Sequence, residues 1–380
     1  MADQDAQSPV GIEPSALPSI RWAEPTEGPA VALLDQTRLP AEEVELLCTD
    51  VPALVRAIQT LAVRGAPLLG IAGAYGVALA AARGDDMAEA SGLLERARPT
   101  AVNLGYGVRR AARAYWAALD KGEDAQRAAA VALAEAEALH REDAEASRRM
   151  AQYGLALLEE LLPGGGHQLL THCNSGALVS GGEGTAFAVA LGAHRAGQLR
   201  RLWVDETRPL LQGARLTAYE AARHGMAYSL LTDNAAGSLF AAGEVDAVLI
   251  GADRIVADGS VANKVGSYPL AVLAKYHHVP FIVVAPTTTV DLQTPDGASV
   301  IVEQRPGREV TELTLSRIGA GGEAGGLTVA PLGTQAYNPA FDITPPELIT
   351  AIVMEEGIVS PVTGVGLAEL CARSSQVTIS

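Results

Sequence analysis

Between residues 167 and 288, short apolar runs alternate with longer segments of helical spacing. HQLLTHC, LRRLWVDET, MAYSLLTDN, VDAVLIGADRI and VPFIVVAPTT read as strands. GTAFAVALGAHRAG, QGARLTAYEAARHG, AAGSLFAAGE and VANKVGSYPLAVLAKYHH, which fall between them, read as helices. Nearly continuous apolar runs suit strands covered on both faces. Short connections between alternating strands and helices leave few solutions, chiefly right-handed βαβ units in a mainly parallel, doubly wound sheet. The first half has a different rhythm. Residues 41–162 carry helical patterning, with apolar residues at three- and four-residue steps in VPALVRAIQTLAV. The run up to Leu162 is rich in Ala, Glu, Leu and Arg, all good helix formers, and should stop at Pro163 and the three glycines after it. Ahead of these, SIRWAEPTEGPAVALLDQTRLP reads as two short strands joined at Glu-Gly-Pro. The expected fold is α/β: a helical N-terminal domain with a short β-hairpin, then a Rossmann-like doubly wound parallel sheet. The expected divisions are a tail at 1–18, the helical domain at 19–150, the sheet domain at 151–372 and a tail at 373–380.

In open α/β sheets, ligands collect beyond the carboxyl ends of the strands. Here those ends fall at residues 171–173, 205–208, 233–234, 251–254 and 285–288. They are the polar, charged or glycine-rich positions of an otherwise apolar region, so a site is expected there.

Composition removes several function classes. Hydrophobic residues make up 48% of the 380, which excludes a disordered chain. The formal charge is −16 and no basic cluster occurs, so a nucleic-acid surface is not expected. The three cysteines show no CxxC or metal spacing, which points to a reducing, cytoplasmic setting and no structural zinc. The start, MADQDAQSPV, is acidic and polar, unlike a signal peptide. Residues 65–82 lack charge but are mostly Gly and Ala and include Pro67, so a closely packed buried helix is expected in preference to a membrane span. SGGEGTA lacks G-x-G-x-x-G spacing, and the GxxxxGK[ST] phosphate loop is absent, so neither NAD nor ATP is expected as a cofactor.

Cys173 ends a strand and precedes a loop that could open a helix. A helix N-terminus would lower its pKa and make it a better base or nucleophile. The alternative is a buried structural thiol, the reading that also suits Cys48 and Cys371 in their apolar, helical-looking surroundings. Asp253 follows Val-Leu-Ile-Gly-Ala, where low-dielectric walls would raise its pKa and suit it to general acid work. Its alternative is an ion pair with Arg254 or a cap on the next turn. Arg64 stands before Gly65, Ala66 and Pro67, at the entrance to a small-residue helix whose backbone N–H groups could approach an anion. Asn263 and Lys264 are expected to begin the helix after Asp253, with Arg98 and Gln212 also near helix starts. Each is individually compatible with a solvated surface residue; a site requires them to converge.

LLDQTRLP, VRGAPLLGIAGAYGVALAA, RPTAVNL, THCNSGALVSGGEGTA, VDETRPLLQGARLTAYE, DNAAGSLF, IGADRIVADGSVANKVGSYPLAVLAKYHHVPFIVVAP and YNPAFDITPPELITAIVMEEGIVSP together resemble the methylthioribose-1-phosphate isomerase family, in family order over about residues 30–361. The wider group includes initiation factor 2B subunits and ribose-1,5-bisphosphate isomerases. The resemblance implies a helical domain followed by a Rossmann-like domain, aldose–ketose isomerisation of a sugar phosphate without a cofactor or metal, and a homodimer. It puts the catalytic cysteine at Cys173 and the catalytic aspartate at Asp253. It puts substrate-holding residues at Arg64, Gly65, Ala66, Arg98, Gln212, Asn263 and Lys264. Two departures stand out: Ser175 replaces the family's usual alanine, and residues 317–329 are longer and richer in glycine, as expected of a surface loop. The readings that compete are a non-enzymatic regulatory subunit, or an isomerase of ribose 1,5-bisphosphate or 5-deoxyribose 1-phosphate.

Overall fold

The computed structural model describes residues 17–315 and 325–377. Most of the 1–18 tail, residues 317–324 of the 317–329 stretch and the last three residues of the 373–380 tail lie outside the described residues. The chain opens with three antiparallel strands, β1 (Ile20–Ala23), β2 (Ala30–Leu34) and β3 (Glu45–Cys48), in the order β1-β2-β3. The hairpin expected from sequence is therefore joined by a third strand, and Cys48 ends that strand instead of lying in a helix. Helices α1 (Val51–Gln59), α2 (Ala66–Arg83), α3 (Met87–Ala97), α4 (Val102–Asp120) and α5 (Ala125–Leu161) follow. Asp50 and Asp124 cap α1 and α5 by accepting from Ala53 N and Arg127 N, which satisfies helix N–H groups that have no intrahelical partner.

By length and composition α2 could cross a membrane, but 83% of its window is buried inside the protein. It forms the centre of the first core with Leu54, Ile58, Leu94, Leu104 and Val108. At 37 residues, α5 would be about 55 Å long. Its Ala128–Leu139 face belongs to the first core, and residues from Ala146 to Leu158 belong to the second. The division expected at residue 150 falls inside this helix, which ties the two cores together.

The second core surrounds a sheet of β4 (His167–Thr171), β5 (Leu199–Asp205), β6 (Tyr228–Leu231), β7 (Ala247–Ile250), β10 (Phe281–Val284), β15 (Ala351–Met354) and β16 (Gly357–Val359). Their spatial order is β16-β15-β10-β7-β4-β5-β6, with every neighbouring pair parallel except β15–β16. From β4 the chain builds outward to β5 and β6, then returns to the other side for β7, β10 and β15. This is the doubly wound, Rossmann-like arrangement, and its switch point lies between β4 and β7. Helices α6 (Ala186–Arg195), α7 (Ala218–Arg223), α8 (Ala236–Ala242), α9 (Ser267–Tyr276) and α11 (Gly364–Val377) accompany the strands, and α11 continues past the tail boundary expected at 373. Strands β4, β7, β10 and β15 are buried at every position, as a sheet covered on both faces requires.

A smaller sheet, ordered β11-β8-β9-β14, comprises β8 (Arg254–Val256), β9 (Val261–Lys264), β11 (Val290–Asp291) and β14 (Phe341–Thr344). Asn263 and Lys264 thus sit on strand β9, opposite Asp342 and Phe341, and not at a helix start; α9 begins only at Ser267. A short α10 (Arg308–Thr311) leads into the hairpin of β12 (Glu312–Leu315) with β13 (Gly325–Thr328), so part of the stretch expected as loop is strand.

Candidate active site

The switch point carries a cleft of about 750 Å³, counted to its open mouth. All nine residues singled out from the sequence line it: Cys173, Asp253, Arg64, Gly65, Ala66, Arg98, Gln212, Asn263 and Lys264. Cys173 comes just after β4 and Asp253 just after β7, the two strands that flank the switch point. The arrangement follows from topology, since parallel neighbours present their carboxyl ends side by side.

Cys173 sits at φ 64°, in the left-handed region that residues with a Cβ seldom enter. Hydroxyls on both sides hold it there. Its N–H donates to Thr207 Oγ1 at 2.8 Å, and its carbonyl accepts from Thr217 Oγ1 at 2.6 Å. The expected helix-N-terminus effect does not operate, because α6 starts only at Ala186. Instead burial pushes the thiol above its ordinary pKa; Arg64 and Lys264 oppose that, and Asp253 adds to it. The Arg64 Nη1 atom lies 4.0 Å from Sγ.

Asp253 lines the cavity wall, and burial raises its carboxyl above the usual range against the pull of Lys264, Arg98 and Arg64. Arg254 does not pair with it. That guanidinium donates to Thr100 O at 3.1 Å and lies 3.5 Å from Asp291. The raised carboxyl follows from the buried strand end on which it sits.

Three cations converge from three elements. Arg64 precedes α2. Its Nη2 donates to Asn174 Oδ1 at 2.9 Å, while its Nε has no partner. Arg98 closes α3, with Nη2 3.4 Å from Glu303 and Nε likewise unpartnered; it lies at a helix end, not the helix start expected. Lys264 donates to Ala340 O at 2.9 Å and lies 5.2 Å over the Phe341 ring. Burial lowers its pKa, against the raising influence of Cys173 and Asp253. Gln212 stands at the start of the turn Gly213–Thr217, buried, with Oε1 unpartnered. Asn263 Nδ2 donates to Ser267 Oγ at 2.8 Å. Unpartnered, buried polar atoms lining a cleft are where a polar ligand gains most.

Gly65 has a packing reason as well. At φ 92° it begins α2, and a Cβ there would fall 2.2 Å from Val179 Cβ. Its absence lets the Arg64 loop close against the loop that follows Cys173. Ser175, the departure from the expected alanine, accepts from Phe187 N at 3.1 Å in the first turn of α6.

Sequence reasoning missed other lining residues. Arg305 reaches the cleft from the segment after β11, holding Glu303 at 2.9 Å and also pairing with Glu309. Burial would raise the pKa of Glu303, but Arg98, Arg305 and Thr100 hold it below the ordinary value. His172 is fully buried beside Cys173. Its Nδ1 meets Asp205 Oδ2 at 3.0 Å and its Nε2 meets Val265 O at 2.9 Å. The Val265 carbonyl can only accept, so Nε2 carries a proton. Burial alone would lower its pKa, yet Asp205 and Val265 keep it raised. His172, Asp205 and Asp233 have the donor types of a metal site and lie within 4.8 Å of one another. However, Asp233 accepts from Thr207 N and Arg208 N with its two oxygens, and both His172 nitrogens are in use. The cluster braces the strand ends.

The site thus offers a carboxyl whose pKa burial raises, a thiol, and several arginine and lysine donors around one cleft. The profile of the initiation factor 2 subunit family matches residues 62–361. A methylthioribose-1-phosphate isomerase of Anaeromyxobacter sp. is 49% identical over 90% of this chain and 95% of its own. One of Pelotomaculum thermopropionicum is 46% identical over 91% and 92%. The crystal structure of 5-methylthioribose 1-phosphate isomerase from Pyrococcus horikoshii superposes with a TM-score of 0.81 at 35% identity, covering 94% of this chain and 97% of that one. A structure named as translation initiation factor eIF-2B subunit delta, from A. fulgidus, superposes with a TM-score of 0.76 at 40% identity over 94% and 100%. This chain belongs to the initiation factor 2 subunit family and, within it, to the methylthioribose-1-phosphate isomerases.

Proposed function

We propose that this chain converts 5-methylthioribose 1-phosphate into 5-methylthioribulose 1-phosphate, an aldose–ketose isomerisation of methionine salvage. The observation that carries the reading is the presence of Cys173 and Asp253 at the two switch-point strand ends, facing one cleft with Arg64, Arg98 and Lys264. A regulatory subunit with the same sheet would not need that pair.

The reaction explains the chemistry. Phosphate on C1 prevents spontaneous opening to an aldehyde, so the ring oxygen must be protonated as its bond to C1 breaks. A carboxylic acid kept neutral by burial suits this step, and Asp253 takes that role. Hydrogen must then move from C2 to C1, and the C2 hydroxyl must lose its proton to become the ketone. Cys173 handles the C2 hydrogen or that hydroxyl proton. Arg64, Arg98 and Lys264 neutralise the phosphate, while Gln212, Asn263 and the N–H groups near Gly65 and Ala66 orient the sugar. The walls exclude water from an intermediate that would otherwise decompose. The proposed partners are this sugar phosphate and a second copy of the chain, in the cytoplasm; no nucleic acid is involved.

Purified protein should form the ketose from 5-methylthioribose 1-phosphate faster than from 5-deoxyribose 1-phosphate or ribose 1,5-bisphosphate, followed by proton and phosphorus NMR. Absence of ketose from the first sugar would overturn the reading. Solvent deuterium at C1 of the product would assign proton transfer, whereas full retention of the C2 hydrogen would assign a hydride shift.

A further inference from the structure

Behind the catalytic loop lies a buried acid that the chemistry above does not use. Glu220 is on α7 and only 4% exposed. Its Oε2 accepts from Asn174 Nδ2, and its Oε1 accepts from Leu178 N at 3.2 Å. Asn174 Nδ2 also reaches Thr217 Oγ1 at 3.3 Å, and Asn174 Oδ1 accepts from Arg64 Nη2 at 2.9 Å. The loop comes very close to the carboxylate, since a Cβ on Gly176 would sit 2.3 Å from Oε2. We infer that Glu220 is a positioning residue: by accepting from the Asn174 amide it turns Oδ1 toward Arg64 and so fixes the guanidinium beside Cys173 for the anionic substrate.

The argument rests on donor and acceptor identity. An amide can be rotated by half a turn at little steric cost, exchanging its oxygen and nitrogen. In this setting the rotated amide would present N–H groups to the Arg64 guanidinium and its oxygen to the Glu220 carboxylate. Both contacts would repel. The carboxylate therefore selects one amide orientation, and that orientation is the one that holds Arg64. A glutamine at 220 can donate as well as accept, so the selection disappears. Arg64 is the charged group facing Glu220 across the loop. His140 of α5, with Tyr219, Arg223 and His224 of α7 and its end, surrounds the cavity on the other side. The Glu220 carboxyl is pushed up to about 7, first by burial, so it changes charge near neutrality.

This inference rests on the sugar phosphate reading of the cleft, and its test separates the two. Wild type, E220Q, R64A and R64A/E220Q are compared by isomerase kinetics and by calorimetric binding of sulfate, a dianion across the working pH range. Each is first checked for native circular dichroism. E220Q should weaken sulfate about tenfold and raise KM similarly, with a smaller fall in kcat, as expected for a charge-assisted hydrogen bond removed from the binding machinery. On the R64A background the same change should alter affinity by less than about twofold, because the route through Arg64 is already gone. Sulfate affinity in E220Q equal to wild type would overturn the inference. So would an equal penalty on both backgrounds, which marks general structural damage. If E220Q does not fold, E220D withdraws the carboxylate while keeping its charge and must also weaken sulfate; unchanged affinity overturns the inference. A wild type without isomerase activity ends the substrate reading but leaves the sulfate comparison to decide the role of Glu220.

Discussion

Replacing Glu220 with glutamine should change how the stability of this protein depends on pH, by an amount that follows from the burial of this one side chain. Its ordinary pKa is 4.5, and burial lifts it to about 7 despite the hydrogen bonds from Asn174, Leu178 and Ala177 that favour the charged form. At 1.36 kcal/mol per pH unit, ionised Glu220 is about 3 kcal/mol less favourable in the folded chain than in the unfolded one. Below pH 4.5 both states hold the proton and the penalty is absent. Between 4.5 and 7 the unfolded chain releases the proton first, so stability falls as pH rises; above 7 both are ionised and the loss is complete. Glutamine does not titrate. From pH 5 to pH 8, E220Q should therefore gain about 2.5 kcal/mol of unfolding free energy relative to wild type, whatever its offset at either pH. Urea unfolding of both proteins at several pH values measures the difference, in which the other titrating groups cancel to first order. A difference that does not vary with pH would refute the reasoning, because it would mean that the carboxyl is not desolvated in the native state.

C173S and D253N should each lower kcat by about a thousandfold or more with native circular dichroism retained, as expected for groups that move protons in the reaction; near-wild-type turnover in either would remove it from the mechanism. Activity should fall on the alkaline side as Asp253 loses its proton, with the midpoint above the ordinary carboxyl range because its pKa is raised, and a pH profile of kcat/KM that declines through pH 4 instead would reverse that assignment. Cys173 should react more slowly with iodoacetamide than free cysteine at pH 8, since burial raises its thiol, and K264M should slow it further by removing one of the two cations that oppose the shift; peptide mass spectrometry reads both rates. G65A should destabilise the protein by about 2–4 kcal/mol in denaturant unfolding, through overpacking against Val179 and an unfavourable positive φ.

The alternating second half was legible because a parallel sheet buries its strands on both faces, and that leaves continuous apolar runs such as AVLI and FIVV. The same logic located the site, since polar residues at strand ends stand out against such runs. Strands β3 and β9 were missed for a shared reason. Each is four residues long and owes its state to pairing, and β9 meets a strand about eighty residues away at Phe341–Thr344. VANKVGSYPL also carries spacing compatible with a helix. The pKa of Cys173 went the other way from expectation because the helix assumed to follow it starts thirteen residues later, leaving burial as the largest influence. Arg305 gave no local signal, as Arg-Pro-Gly reads as a turn. Its place at the cleft comes from the long connection after β11. The left-handed backbone at Cys173 also could not be read, because it is imposed by Thr207 and Thr217 from other segments.

A shared fold does not separate an isomerase from a binding subunit, as the eIF-2B delta structure at a TM-score of 0.76 makes plain. The separation has to lie in how charge is arranged at the ends of β4 and β7. Asp253 is raised chiefly by burial, and Lys264, Arg98 and Arg64 pull it down. A phosphate bound by these cations would weaken that pull and raise Asp253 further, toward the protonated form that the proposed ring opening uses. Protonation of Asp253 also removes the push that its charge exerts on Cys173, while the same phosphate weakens the opposing pull of Arg64 and Lys264. An acid on one strand end and a base on the other are therefore compatible states of this cleft. A neutral Asp253 and a Cys173 thiolate favour one another, because the carboxylate charge is one of the influences that raise the thiol, and in the proposed reaction that coupling would help move a proton onto a ring oxygen and another away from C2 in one cleft.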